Sequence, residues 1–248
     1  MKTQTALIRT AIACTLAMPA VAGDSGGIVE VLDQIECVDP PMSLLPTIVE
    51  DDDTALIFQE TNGTPLTEDL VVDATSTGPI AGTGSGAVPG SIEAGTRVRS
   101  YYIHAEPTHD GPEPYAGSVR FETPVLGIIF RTSSLDASDA LLSPNITYAS
   151  ARMLGSADSF VLSPDRTQVT IDFNVTIGRD QIRIITAVPP CAPADLALPF
   201  GLLDLSDVDT FVNAFTTDDP AADLALPTGL FDLDDIDAFI TSFLSGCP

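Results

Sequence analysis

The chain has 248 residues and a formal net charge of −25, because 35 acidic residues stand against only 10 basic ones. A surface with this charge repels the phosphate backbone of nucleic acids and anionic membranes, so we expect no nucleic-acid partner. The acidic excess is typical of proteins solvated in salty surroundings, and it also suits a protein that binds divalent cations. Charge alone does not separate these two explanations.

The first 22 residues predict a secretory signal peptide. Lys2 and Arg9 give a basic start, residues 11–18 are mostly apolar, and a small-residue cleavage site ends at Ala22. Cleavage is expected before Gly23, which predicts a secreted protein that is extracellular or held at the cell surface. No later segment approaches the roughly 20 continuous apolar residues of a membrane span, so none is expected.

Residues 23–190 contain short apolar or alternating runs separated by turn residues, a pattern typical of β-strands. Val169, Ile171, Phe173 and Val175 alternate with polar residues, as a half-buried antiparallel strand requires. The predicted fold class is mainly β, an antiparallel β-sandwich of the jelly-roll kind. The predicted strands cover residues 28–32, 55–59, 70–73, 97–105, 118–122, 125–131, 159–162, 168–174 and 181–187.

One helix is predicted within this β-domain, because Ser134 or Asp136 can cap the apolar spacing of LDASDALL. Residues 75–95 are poor in large apolar side chains and predict a long loop. The domain is expected to end at Pro189-Pro190, since two prolines stop a strand.

The remaining residues, 191–248, contain a tandem repeat. Residues 195–215 read DLALPFGLLDLSDVDTFVNAF and residues 223–243 read DLALPTGLFDLDDIDAFITSF, displaced by 28 positions. Each copy predicts a turn-rich segment followed by a helix, which Asp204 can cap in the first copy. Two apolar helix faces can bury each other, which explains the pairing of the copies. The apolar positions are Leu205, Val208, Phe211, Val212 and Phe215, then Leu233, Ile236, Phe239, Ile240 and Phe243.

The segment ahead of each helix resembles half of an EF-hand calcium loop. With Asp207 at loop position 12, Asp204 falls at position 9 and Gly201 at position 6, where a glycine permits the sharp turn. The corresponding residues of the second copy are Asp235, Asp232 and Gly229.

The tandem loop–helix units, the LDLxDVDxFVxxF pattern and the terminal Gly-Cys-Pro resemble a GC-type dockerin-like module of secreted bacterial proteins. The resemblance implies one Ca²⁺ in each loop and a helical surface that binds a partner domain or anchors the protein to the cell envelope. It assigns Asp204, Asp207, Asp232 and Asp235 as metal ligands. Asp195 and Asp223 match only approximately, since each lies one residue too early.

The front half of each loop departs from the calcium-binding pattern. Leu198 and Phe200 occupy positions 3 and 5 of the first copy, and Leu226 and Thr228 occupy them in the second. Few oxygen ligands then remain of the 6–8 that Ca²⁺ prefers. Folding without metal is therefore an equal alternative to weak calcium binding.

Three cysteines follow the signal peptide, and export permits disulfides. Cys191 and Cys247 bracket the repeat, so the sequence favours that pair, which would contribute roughly 3–4 kcal/mol on the chain-entropy model. The rival pairing is Cys37 with Cys191. Either choice leaves one thiol over.

The sequence of the β-domain contains only weak candidates for a functional site. His104, Glu106, His109 and Asp110 are weak candidates for a metal or ligand site, in a spacing that matches no known metalloprotease motif. The stretches SYYIHAEP, VLGIIFRTSSLDASDALL and DQIRIITAV resemble uncharacterised β-rich domains of secreted bacterial proteins, a similarity that implies no activity.

Three functions remain open. The leading hypothesis is a secreted, non-catalytic surface or extracellular-assembly protein attached through its C-terminal module. A second is a carbohydrate-binding protein with a polysaccharide partner, for which the tyrosines could supply a stacking platform. A third is a hydrolase, which would need two carboxylates separated by about 5–10 Å.

Overall fold

The computed structural model describes residues 27–109, 111–143, 145–176, 178–197 and 200–247. The predicted signal peptide, Asp110, Leu198 and Pro199 lie outside the described residues. The fold is mainly β, with antiparallel sheets and three α-helices in the part that is described.

Fourteen strands and three helices follow one another in the described chain. The first strands are β1 Ile28–Asp33, β2 Ile35–Cys37, β3 Ser43–Leu44, β4 Ala55–Pro65, β5 Leu70–Val72, β6 Gly78–Ala81, β7 Gly90–Ile92 and β8 Arg97–Ala105. They are followed by β9 Glu113–Phe121, β10 Val125–Ile129, α1 Thr132–Leu142, β11 Thr147–Tyr148, β12 Ser159–Leu162, β13 Gln168–Val175 and β14 Asp180–Ala187. The C-terminal helices are α2 Leu205–Thr216 and α3 Leu233–Ser245.

Two five-stranded sheets form the β-domain. The first has the order β1-β9-β13-β12-β6 and all its neighbouring strands are antiparallel. The second has the order β10-β14-β8-β4-β2, in which only β2 and β4 run parallel. The pairs β3–β11 and β5–β7 form two small additional sheets.

The inward side chains of both sheets belong to one apolar cluster. Val169, Ile171 and Phe173 of β13 contribute from the first sheet, and Ile103 of β8 and Ile184 of β14 contribute from the second. The alternation along β13 is the predicted one, with its apolar residues buried and Thr170, Asp172 and Asn174 exposed. Burial of this cluster is the main stabilising contribution to the β-domain.

The second sheet is covered on its other face as well. Every residue of β14 is buried, and a second cluster joins Tyr102 and Ile185 to Leu135 and Leu142 of α1. A strand buried on both faces cannot alternate apolar with polar residues, so its polar side chains need partners inside the protein.

Arg183 of β14 and Glu60 of β4 form a fully buried ion pair, with Nε and Nη2 each donating to a Glu60 oxygen at 2.7 Å. Arg183 also donates to the Leu135 carbonyl and to Ser138 and Asp139 of α1. Burial raises the pKa of Glu60, but the charge of Arg183 and the hydrogen bonds from Arg183, Ser100 and Tyr148 together outweigh it, and the pKa lies below its ordinary value. The pair therefore joins two strands to the helix that covers them.

Two predictions in this region are wrong. Helix α1 begins after Arg131, and neither Ser134 nor Asp136 caps it, because Ser134 donates instead to Asp73. Residues 75–95 are not one loop, since β6 and β7 lie within them and pair with β12 and β5. Their Gly- and Pro-rich composition hides strands that are held by neighbours rather than by local propensity.

Helices α2 and α3 pack on each other in a separate apolar cluster. Phe211 of α2 stacks on Phe239 of α3 with ring centroids 4.1 Å apart. Asp204 caps α2 as predicted, and Asp232 caps α3 in the same way. None of the described helices has the length and apolar character that a membrane crossing requires.

We predict that Glu60→Gln lowers the free energy of unfolding by about 3–5 kcal/mol, because it leaves Arg183 buried without its main counter-charge. Urea unfolding at neutral pH measures the change. Glu30→Gln removes the exposed Glu30–Arg120 pair and serves as the control, with an expected loss of no more than about 1 kcal/mol. Equal losses in the two variants would contradict a special role for the buried pair.

Candidate functional site

The two C-terminal loops share one hydrogen-bond pattern built on Asp207 and Asp235. The Oδ1 atom of Asp207 accepts the backbone N–H groups of Leu196 and Ala197, and its Oδ2 atom accepts that of Asp204. Asp235 accepts the equivalent three N–H groups, those of Leu224, Ala225 and Asp232. Both carboxylates are buried, so they fix the loop backbone to the first turn of the helix.

A second set of contacts caps each helix. The Asp204 carboxylate accepts the N–H of Ser206 at 2.7 Å, and Asp232 accepts that of Asp234 at 2.8 Å. Both helices have a reciprocal capping box. Gly201 and Gly229 take φ values of +84° and +87°, which only glycine adopts without strain.

Asp195 and Asp223 occupy equivalent places at the loop entrances. Asp195 Oδ2 accepts the N–H groups of Cys191 and Gly201, and Asp223 Oδ2 accepts that of Gly229. The Oδ1 atom of each is buried and has no hydrogen-bond partner. Burial, followed by the charges of Asp207 and Asp204, raises the pKa of Asp195 despite its backbone donors.

The six predicted calcium ligands therefore serve different purposes. Asp207 and Asp235 have their oxygens directed at backbone donors, whereas Asp195 and Asp223 each keep one buried oxygen free. Among the described residues, the carboxylates of one loop do not gather as a group of three within 4.8 Å. The geometry fits a loop closed by its own backbone better than a preformed calcium cage.

Cys191 and Cys247 are joined by a disulfide, with Cα atoms 5.3 Å apart and a sequence separation of 56. Their sulfur atoms and an Asp195 oxygen lie within 4.8 Å of one another, but sulfurs held in a disulfide offer no thiolate to a metal. The described residues contain no free cysteine, and Cys37 is also disulfide-bonded. The rival pairing of Cys37 with Cys191 is therefore not formed.

The apolar helix stripes divide into buried and exposed parts. Phe211 and Phe239 are buried, but several predicted stripe positions face solvent, at the same places in both copies. Leu202 and Leu230, in the loops ahead of the helices, are also exposed at equivalent places, and we call these loop and helix residues together the exposed apolar positions. The members of this set, with their exposed fractions, are Leu202 44%, Leu205 79% and Val212 53%, then Leu230 52%, Leu233 77% and Ile240 47%.

The two loops differ in their surroundings. A Cβ atom added to Gly201 would lie 3.3 Å from Arg97 Cδ and 3.5 Å from Val188 Cγ1, so the first loop packs against the β-domain. A Cβ added to Gly229 would meet no atom within 4 Å, and Leu226 in that loop is 82% exposed. The second loop is therefore the more accessible one.

In the β-domain, the described residues that were weak candidates for a metal or ligand site lie in two different places. His104 and Glu106 are buried and their Nε2 and Oε2 atoms lie 3.3 Å apart. His109 is exposed, with its two ring nitrogens 3.3 Å from Asp52 and 3.6 Å from Glu113. His104, Glu106 and His109 thus do not converge on one metal position.

Three of the four tyrosines, Tyr101, Tyr102 and Tyr115, are fully buried. Tyr148 is half-buried and lies under the guanidinium groups of Arg152 and Arg183. The exposed tyrosine platform that carbohydrate binding was expected to use is therefore missing.

The structure also contains a buried carboxyl pair, Asp158 and Asp180, that no pattern in the sequence indicated. Asp158 accepts the N–H groups of Gly155 and Asn174, and it is hydrogen-bonded to Asp180. Burial, together with the charge of Asp158, raises the pKa of Asp180 to about 8. Both residues line an open cavity of about 530 Å³, but direct contact is closer than the separation a glycoside hydrolase uses.

No protein-family model, curated protein or solved structure matches this chain.

We predict that the difference between the folded and unfolded pKa of Asp180 lowers the free energy of unfolding as pH rises between about 4 and about 8. The unfolded carboxyl ionises near its ordinary pKa of 3.8 whereas the folded one stays protonated, so each pH unit costs at most about 1.4 kcal/mol. The Asn side chain of Asp180→Asn cannot ionise. The stability of this variant relative to the unaltered protein should therefore increase from about pH 4 to about pH 8 and stay constant at higher pH. Urea unfolding at several pH values measures the difference. A difference that does not change with pH would contradict the shifted pKa.

Proposed function

We propose that the protein is a secreted, non-catalytic component of the cell surface or of an extracellular assembly, and that it is attached through its dockerin-like C-terminal module. The observation that carries this proposal is the set of exposed apolar positions, which recurs at equivalent places in two copies of one unit. The fold of the module depends on its buried phenylalanines, and leucines exposed to water do not contribute to that core. A repeated apolar surface of this kind suits recognition of a partner.

The partner that this surface fits is a protein domain with an apolar patch bordered by lysine or arginine. Residues 191–248 contain eleven aspartates and no Lys, Arg, Glu or His. Opposite charge around an apolar centre accelerates association and excludes acidic competitors. A cell-envelope protein or a scaffold of an extracellular assembly could present such a domain.

For residues 23–190, we propose that the two five-stranded sheets pack as a β-sandwich of the jelly-roll kind. Their shared apolar cluster supports this arrangement. The β-domain is then the passive part that the module delivers, and secretion follows from the predicted signal peptide. Polysaccharide binding and hydrolysis remain alternatives, but the buried tyrosines and the closely paired carboxyls favour neither.

We predict that Leu205→Ser with Leu233→Ser lowers retention of the full-length protein on the envelope of the producing cell by roughly fivefold or more. Truncation of a central apolar contact typically costs more than about 1 kcal/mol of binding. Retention is measured by fractionation at low and high salt, and the charge argument predicts weaker binding at high salt.

Val71→Ser is the control, because Val71 is an exposed apolar residue of the β-domain, and it should bind as the unaltered protein does. A chain that lacks residues 191–248 should lose retention. If that truncated chain is retained as well as the intact one, the module is not the attachment site.

We further propose that each loop closes through its own carboxylate–backbone contacts, and that any Ca²⁺ binds weakly at the free oxygens of Asp195 and Asp223. Removal of calcium with EDTA should leave the helical circular dichroism signal unchanged. Asp207→Asn should lower the melting temperature of the module, since an amide cannot accept all three N–H groups. Asp209→Asn, at an exposed helix position, should have no effect.

Calorimetric titration of the full chain with Ca²⁺ tests whether the cation binds. We expect saturable heat with a dissociation constant of about 10⁻⁴–10⁻³ M or weaker, absent from the Asp195→Asn, Asp223→Asn variant. Loss of the helical signal in EDTA would overturn closure without metal. Complete absence of heat at millimolar Ca²⁺ would contradict calcium binding but would leave the closure of the loops by their own contacts unaffected.

A further inference from the structure

A second cavity lies in the β-domain, away from the C-terminal module. It measures about 210 Å³ and is bounded by β4, β8 and a segment that we call the strap, residues 38–49. The lining residues are Val38, Asp39, Pro41, Leu44, Val49, Leu56, Phe58 and His104. Protein interiors rarely leave voids larger than a water molecule, so a cavity of this size is unusual.

The interior of this cavity is apolar, and His104 adds no free polar atom to it. Tyr102 donates its hydroxyl hydrogen to Gln181 Oε1, so the Gln181 amide nitrogen faces and donates to His104 Nδ1. The remaining ring nitrogen, Nε2, then donates to the Val49 carbonyl at 2.9 Å. Both nitrogens are occupied, and water in the cavity would find few hydrogen-bond partners.

The strap is held in an uncommon conformation above the cavity. Thr47 has φ +63°, which is a rare and strained value for a β-branched residue. Its N–H points to the buried carboxylate of Glu106, and the Glu106 carbonyl accepts the N–H of Asp51. Burial raises the pKa of Glu106, but His104 and Arg179 outweigh it and the pKa is below its ordinary value. A charged, buried anchor therefore keeps the strap in place and the cavity open.

The lining also indicates the polarity of a ligand. Asp39 is exposed and is the only acidic residue of the lining, and residues 50–53, Glu-Asp-Asp-Asp, directly follow the strap. Met42 and Ile48 of the strap are exposed, which adds apolar surface to the same segment. A ligand that suits these features has an apolar end for the cavity and a positive charge for Asp39.

We propose that this cavity is a binding site for a small apolar amine, with a phenyl or branched aliphatic group inside and its ammonium group at Asp39. The volume is adequate, because an engineered apolar cavity of about 150 Å³ binds benzene. Negative charge around the mouth raises the local concentration of cations. The site is independent of the proposed attachment through the C-terminal module.

Calorimetric titration of the mature protein with phenethylamine, 2-phenylethanol and 3-phenylpropanoate tests the proposal. The three probes share a phenyl group and differ in charge. We expect the amine to bind about twofold to fivefold more tightly than the alcohol, the range of an exposed ion pair, and the carboxylate to bind most weakly. Asp39→Asn should abolish the preference for the amine and leave alcohol binding unchanged. Asp172→Asn, an exposed acid on the other sheet, should alter nothing.

Two cavity-filling variants, Leu56→Phe and Val38→Phe, should eliminate binding of all three probes. Melting temperatures that are equal to or above that of the unaltered protein show that these variants are folded, and if one fails to fold the other decides. No saturable binding of any probe overturns the proposal. Binding that survives in a folded filling variant, or a preference for the amine that survives in Asp39→Asn, overturns it as well.

Discussion

Arg183 holds together the face of the second sheet on which α1 lies. Its guanidinium group is completely buried, and desolvation of such a charge costs several kcal/mol unless its donors are satisfied. Glu60, Ser138, Asp139 and the Leu135 carbonyl provide acceptors for its Nε, Nη1 and Nη2 atoms. Because these partners come from β4 and from α1, the full set of contacts can form only when the helix lies on the sheet. The pair thus specifies one arrangement of helix and sheet, beyond what apolar contact would select.

The same network extends to the cavity under the strap. Arg152 lies beside Arg183 over the Tyr148 ring and donates to the Tyr102 hydroxyl. Tyr102 then orients Gln181, and Gln181 orients His104, whose ring forms one wall of the cavity. The Tyr102 hydroxyl accepts from Arg152 and donates to Gln181, whose amide nitrogen donates to His104 Nδ1. The protonated nitrogen of His104 is therefore decided by residues on two neighbouring strands. The apolar character of the cavity is therefore a consequence of the network and not of His104 alone.

The sequence predicted what depends on local pattern and missed what depends on distant partners. The alternation at Val169 and Ile171 identified β13, and Asp204 identified the start of α2 because a cap acts within one turn. The Glu60–Arg183 pair spans 123 positions, and nothing local marks either residue as buried. In the C-terminal module, the acidic positions were identified from the sequence, but the hydrogen bonds that Asp207 and Asp235 accept from the loop backbone were not. A carboxylate that ligates a cation and one that accepts backbone N–H groups occupy the same place in a sequence, and only the direction of the neighbouring N–H groups separates them.

The β-domain and the C-terminal module stabilise their buried carboxylates with different partners. The β-domain holds all the arginines of the described chain, and several of its buried carboxylates are matched by a guanidinium group or by each other. The module has no basic residue, so its buried carboxylates rely on backbone N–H groups of the loops and of the helix N-caps. Asp207 and Asp235 lie in the first turn of a helix, where the peptide dipoles also favour negative charge. Each repeat supplies the backbone N–H groups that its own carboxylates require. A duplicated copy therefore needs no partner residue from elsewhere in the chain. Asp209, Asp218, Asp234 and Asp237 of the module are exposed and add negative charge to its surface.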